Sequence, residues 1–133
     1  MKKLLIASFV FFAFTANVFA QSRQVKVIAL INEASWCPVC QANGPRFQKD
    51  IAPMVMKNPQ IQMVKNNVSN DKTQASSMNI LKKAGIADFA KNNTATGMLY
   101  LIDAKSKKLI SKISIASTDE QIKQKLKEAL SKG

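Results

Sequence analysis

The chain has 133 residues, with 20 Lys or Arg against 8 Asp or Glu, a formal net charge of +12 and no histidine. That length builds one domain with a real hydrophobic core, and the lack of histidine and of a glycine-rich phosphate loop excludes His-assisted nucleophilic catalysis and phosphate-cradling nucleotide chemistry. The positive balance favours an acidic protein partner or an anionic membrane surface over nucleic acid, because the lysines from Lys57 to Lys132 are scattered instead of interleaved with aromatic residues.

Residues 1–20 have the pattern of a cleaved secretory signal: Lys2 and Lys3, an apolar core from Leu4 to Phe14, then Val18-Phe19-Ala20. The apolar core is too short to span a bilayer comfortably, and no second long apolar run follows Gln21. Residues 21–133 are therefore expected to form one exported, soluble, monomeric domain in the periplasm, or outside the cell.

Val25 to Ile31 is β-branched and nearly continuous in apolar character, which predicts a central strand covered on both faces. Pro38 fits the first turn of a helix, and Cys40, Phe47, Ile51 and Met54 recur at helical spacing to about Met56, with a kink expected at Gly44-Pro45. Ile61 to Val64 predicts a short second strand, and Asn66 to Lys72 a surface loop. From Thr73, the spacing of Met78, Leu81, Ala84 and Phe89 predicts a helical region broken at Gly85 into two short helices, ending at Asn92-Asn93. Met98 to Ile102 and Leu109 to Ile115 predict a hairpin whose second strand alternates cleanly, leaving one face wet. Thr118 caps a last helix with Ile122, Leu126 and Leu130 as its buried stripe.

Both cysteines stand at the first strand-to-helix junction, in Trp36-Cys37-Pro38-Val39-Cys40. A sulfur at a helix start lies beside unpaired backbone N–H groups and the positive end of the helix dipole, which favours thiolate over thiol. The second sulfur lies one turn further in, close enough to close a small disulfide ring. Such a short loop removes little entropy from the unfolded chain, so a purely structural disulfide would be an inefficient use of the pair. An oxidising compartment lets a redox disulfide persist.

The order β-α-β-α-β-β-α, with Ser35-Trp36-Cys37-Pro38-Val39-Cys40 after the first strand and Pro45 five residues beyond Cys40, resembles thioredoxin. The resemblance implies an α/β thioredoxin-like fold, a central mixed sheet flanked by helices, spanning nearly all of residues 21–133. It implies an exported thiol-disulfide oxidoreductase acting on protein thiols or disulfides without an organic cofactor. Cys37 would be the exposed nucleophile and Cys40 the resolving thiol, with Trp36 packed beside the dithiol as a shield. Pro38 and Val39 form the dipeptide between the sulfurs and add no charge or hydrogen-bonding side chain. Lys65, in Met63 to Val68, would match a lysine beneath the active site.

Two departures from that pattern bear on mechanism. Ile31 stands where thioredoxins commonly bury an aspartate, and Glu33 is the nearest acid, able to accept a proton from Cys40 or to face solvent. The family's cis-proline before the third core strand is missing; Thr96-Gly97 occupies its place, where Gly97 would admit a partner backbone and Thr96 would help to bind it. Because that proline also keeps metals from the sulfurs, one alternative is a metal or iron-sulfur module built on Cys37 and Cys40 with ligands from a second chain. The methionines at 54, 56, 63, 78 and 98 suit core packing better than copper ligation, so no metal ligands are assigned. A second alternative is a non-enzymatic basic adaptor with an idle disulfide.

Overall fold

In the computed structural model, which describes residues 24–133, strand β1 (Val27–Glu33) is the axis of the molecule, with every residue from Val27 to Asn32 buried. The expected signal segment lies outside the described residues. Around β1 follow helix α1 (Pro38–Arg46), a π-helical turn (Phe47–Ile51), α2 (Ala52–Lys57), β2 (Ile61–Asn67), α3 (Asp71–Lys83), α4 (Ala87–Asn92), β3 (Met98–Asp103), β4 (Leu109–Ser114) and α5 (Asp119–Lys132). The sheet order is β2-β1-β3-β4, with β2 parallel to β1 and the other pairs antiparallel. This is the expected α/β order and mixed sheet.

Alternation along β1 divides the core between two layers. Val27, Ala29 and Ile31 meet Phe47, Ile51 and Val55 together with Ile122, Leu126 and Ala129 of α5. Ile28 and Leu30 meet Leu81, Ile86 and Ala90 from α3 and α4, with Tyr100 and Ile102 of β3. Helices thus cover both faces, which is why β1 reads as an unbroken apolar run.

Strand β1 starts two residues later than the run from Val25 predicts and extends over the polar Asn32 and Glu33. The ladder decides this: Asn32 pairs with Asn66 on one side and Met98 on the other, and Glu33 pairs with Asn67. For the same reason Asn66 and Asn67 belong to β2 and not to a loop, and α3 begins at Asp71 behind an Asn70–Thr73 capping box. Lys65 pairs with Ile31 of β1 and is exposed, with its Nζ 3.1 Å from Gln48 Oε1.

The kink expected at Gly44-Pro45 takes the form of the π-helical turn just beyond it. Pro45 cannot donate to the carbonyl four residues back, and the Ala52 N–H reaches Phe47 O, five residues back. The wider turn changes the helical phase, so Val55 faces the core while Met54 is 38 % and Met56 65 % exposed. Met63, Met78 and Met98 do pack against the core.

Gly85, at φ +73°, separates α3 from α4 as expected, and Thr118 caps α5 in a box with Gln121. On β4 the alternation is interrupted: Leu101 pairs with Ser111 but Ile102 with Leu109, leaving Ile110 bulged. Ile110 and Ile113 consequently both pack on the α5 side while Leu109 is exposed. Arg46 ties α1 to the start of α5 through an ion pair with Asp119 and a 2.9 Å bond to Ser117 O.

Candidate active site

The turn that delivers the cysteines is built by short-range bonds. After β1, Cys37 N–H donates to Ala34 O (3.2 Å), Ser35 N–H to Ser69 Oγ (2.8 Å), and Gln41 Nε2 to Ser35 O (2.6 Å). Cys37 becomes the N-cap of α1 and its sulfur accepts the Cys40 N–H at 3.2 Å. Pro38 occupies the next position, where its missing N–H costs the helix nothing. The Cys40 thiol donates to Cys37 Sγ across 2.6 Å, so joining the sulfurs needs little movement.

Burial alone would raise the Cys37 thiol, yet hydrogen bonds from the Cys40 thiol, the Thr96 hydroxyl and the backbone of Cys40 and Val39 outweigh it and hold Cys37 below the ordinary value of 9.0. Cys40 is pushed above 9.0, by burial first, then by the bond it donates to Cys37 and by repulsion from the Cys37 thiolate. The two thiols are therefore driven apart in acidity, one suited to attack and one held in reserve. With rising pH, Cys37 should be alkylated before Cys40, as read by peptide mass after iodoacetamide quenching at successive pH values. Earlier labelling of Cys40 would reverse this assignment.

Exposure runs the other way from the expectation of an exposed nucleophile. Cys37 is only 2 % exposed, because the backbone of Gly97 packs against it and against Val39, whereas Cys40 is half-buried. Cys40 borders a cleft of about 280 Å³ shared with Glu33, Ser35, Gln41, Asn67 and Ser69. Glu33 is half-buried at the end of β1, so the structure brings it and Cys40 to one cleft. Pro38 is exposed and Val39 half-buried against the α5-side core. Trp36 is 59 % exposed and lines a separate cleft of about 500 Å³ with Val68, Met78 and Lys91, so it neither anchors the core nor buries itself over the sulfurs.

Thr96 and Gly97 lie on the other side of Cys37, at the entry to β3. Gly97 has φ +70°, donates to Asn32 O (2.8 Å) and accepts from Ile115 N–H (3.0 Å). A Cβ there would stand 2.7 Å from Val39 Cγ1 and 3.6 Å from Cys37 Sγ, so the position admits only glycine without rearrangement. Thr96 acts on the Cys37 sulfur itself. Sequence reasoning missed Asn32 and Asn66, whose side chains are joined at 3.0 Å behind this segment. The available signal was the stripe Ile28, Leu30, Asn32, a polar residue where a buried apolar one is due.

Among the described residues no group of three or more His, Cys, Asp or Glu side chains could hold a metal ion, so the dithiol supplies two thiolates and no further protein ligand of those types. The arrangement is suited to thiol chemistry by its own residues.

Neither protein-family models nor curated proteins give a match to this chain. Solved structures do. A candidate protein disulfide isomerase from Bacteroides thetaiotaomicron is similar with a TM-score of 0.52 and 24 % identity, covering 84 % of this chain and 77 % of that one. Thioredoxin from Wuchereria bancrofti is similar with a TM-score of 0.49 and 21 % identity over 80 % of this chain and 83 % of its own. Thioredoxin from Fasciola hepatica gives 0.43 and 16 % over 84 % and 85 %. The first of these, together with the strand order and the helix-capping dithiol described above, establishes the architecture: the fold of this chain is thioredoxin-like.

Proposed function

We propose that this chain is an exported thiol-disulfide oxidoreductase that exchanges a Cys37–Cys40 disulfide or dithiol with protein substrates. One observation carries the reading: two sulfurs 2.6 Å apart at the start of α1, the capping one more acidic and the inner one less acidic than an ordinary thiol. No organic cofactor is required, because the two sulfurs hold the two electrons that are transferred.

In the reducing direction, the Cys37 thiolate attacks one sulfur of a substrate disulfide. A Cys37–substrate S–S bond forms, the substrate S–S bond breaks, and the leaving thiolate takes a proton from solvent. Cys40 then loses its proton, attacks Cys37 Sγ, and releases the second substrate thiolate as the Cys37–Cys40 disulfide forms. The substrate gains two electrons and the dithiol loses two. The oxidising direction is the same path reversed, and the reduction potential decides which one operates.

Resolution needs an acceptor for the Cys40 proton, and Glu33 stands on the same cleft. Glu33→Gln should therefore slow release of the mixed disulfide several-fold while leaving its formation unchanged, measured by quenched-flow trapping. Equal rates in both variants would remove Glu33 from the mechanism. The overall reading is tested by turnover: the protein with glutathione should reduce or form disulfides in a model substrate, and protein carrying serine at both 37 and 40 should not.

The signal-like residues 1–20 support a periplasmic or secreted location, and the net charge of +12, which falls by 2 to +10 once Lys2 and Lys3 leave with that segment, supports docking to acidic proteins or anionic membranes. Exchange that survives in high salt with a short neutral peptide, but weakens steeply with an acidic protein substrate, is the expected pattern. The protein is expected to act as a monomer.

A further inference from the structure

Asn32 is fully buried although it is polar, and it sits where the stripe Ile28, Leu30 reaches the end of β1 nearest the dithiol. Its amide nitrogen donates to Asn93 O at 2.6 Å and to Ala95 O at 3.3 Å. Its amide oxygen accepts from Asn66 Nδ2 at 3.0 Å. Two carbonyls on one side and an amide donor on the other leave only this orientation of the group. Its backbone carbonyl accepts the Gly97 N–H at 2.8 Å.

All four bonds serve one purpose. Two side-chain bonds and one backbone bond hold the segment from Asn93 to Gly97, and the bond from Asn66 holds the amide that makes them. Its two ends have further restraints: Asn93 donates back to Ala90 O and Phe89 O, and Gly97 O accepts the Ile115 N–H at 3.0 Å. Between those ends Thr94 and Ala95 are exposed, and Gly97 holds a left-handed conformation at φ +70°. From the core side Tyr100 adds a contact in the middle of the segment, its buried phenol meeting the Ala95 backbone. Yet this segment brings Thr96 to the Cys37 sulfur and lays Gly97 against Val39 and Cys37.

We propose that Asn32 is a positioning residue of the dithiol: its side-chain amide clamps the 93–97 segment so that Thr96 and Gly97 remain in contact with Cys37. The inference rests on the reading of Cys37 as the reacting sulfur. Asn32 touches neither sulfur and acts through Thr96 and Gly97. A purely structural amide in this place would stabilise the fold and leave the chemistry of Cys37 as it was.

The test is the pH dependence of Cys37 alkylation in the reduced full chain, for the parent, Asn32→Leu and Asn66→Leu. Leucine keeps the branching and the heavy-atom count of the Asn32 side chain, is somewhat bulkier, and removes its polar bonds. The Cys37 titration should move to higher pH in Asn32→Leu, with alkylation about tenfold slower near pH 6. Asn66→Leu releases only the amide oxygen, so a smaller shift in the same direction is expected. Folded variants in which Cys37 titrates as in the parent would overturn the proposal. If Asn32→Leu does not fold, Asn66→Leu decides alone, with a shift supporting the proposal and an unchanged titration overturning it. Alkylation needs no partner protein, so a parent that catalyses no exchange while its variants shift would sink the oxidoreductase reading and keep the clamp.

Discussion

Cys37→Ser should abolish disulfide exchange, by roughly a thousandfold or more, whereas Cys40→Ser should retain the first chemical step and accumulate a covalent complex with substrate. The asymmetry follows from the acidity of the two sulfurs. Hydrogen bonds from Cys40, Thr96 and the α1 backbone favour the Cys37 thiolate despite burial, while burial and the neighbouring negative charge keep Cys40 protonated. With serine at 40, the mixed disulfide on Cys37 has no sulfur 2.6 Å away to resolve it. Non-reducing electrophoresis with a disulfide-containing model substrate separates the two variants. Trapping through Cys40 in the Cys37→Ser protein would mean that accessibility outweighs acidity, since Cys40 is the more exposed of the pair.

Gly97→Ala is the substitution expected to damage the site most without touching a sulfur. At φ +70° an alanine costs about 1–2 kcal/mol, and a methyl 2.7 Å from Val39 Cγ1 adds an overpacking cost of about 1–3 kcal/mol. Together these predict a loss of about 2–5 kcal/mol in urea unfolding, with Thr96 displaced and the Cys37 titration moved upward. Val39→Ala removes the nearest methyl but keeps the Val39 Cβ at 3.0 Å, so the double variant should recover much of the overpacking part and leave the backbone part. Gly85→Ala is the control. Gly85 has nearly the same φ, +73°, but a Cβ there meets only the flexible Lys107 side chain at 3.2 Å, so its cost should be the backbone part and Cys37 should be unaffected. Equal costs at the two glycines would contradict close packing of Gly97 on the active-site dipeptide.

The element order was legible because its signals are local and strong. The apolar run of β1, the break at Gly85 and the Thr118 cap each act within a few residues, and the structure follows them. The cysteines at a strand-to-helix junction were legible for the same reason. What escaped is set by long-range pairing. Asn32, Asn66 and Asn67 look like loop formers, but the β1–β2 ladder claims all three, and only that register makes Asn32 and Asn66 a buried pair. Met54 was placed inward by assuming a regular helix, and the π-helical turn after Pro45 turns it out. The burial of Cys37 depends on Gly97, sixty residues away in the chain, so adjacency in sequence could not reveal it. Trp36, next to the sulfur, is by contrast open to solvent.

These corrections bear on chemistry as well as on packing. The cover that Gly97 and Val39 place over Cys37 opposes its thiolate, and the hydrogen bonds from Cys40, Thr96 and the Val39 backbone outweigh that burial, so the placement of Thr96 and of the cover sets the balance. Residues that fix the cover are therefore part of how the dithiol works, although none of them reacts.

The most direct test of the central claim is a glutathione redox titration of residues 21–133, followed through the fluorescence of Trp36, the sole tryptophan, and confirmed by alkylation of Cys37 and Cys40. The account predicts one reversible two-electron transition that disappears in Cys37→Ser. A midpoint near about −270 mV would mark a thioredoxin-like reductant and one near about −120 mV a disulfide donor. Fluorescence and alkylation that show no reversible transition across the accessible range would contradict the redox assignment itself.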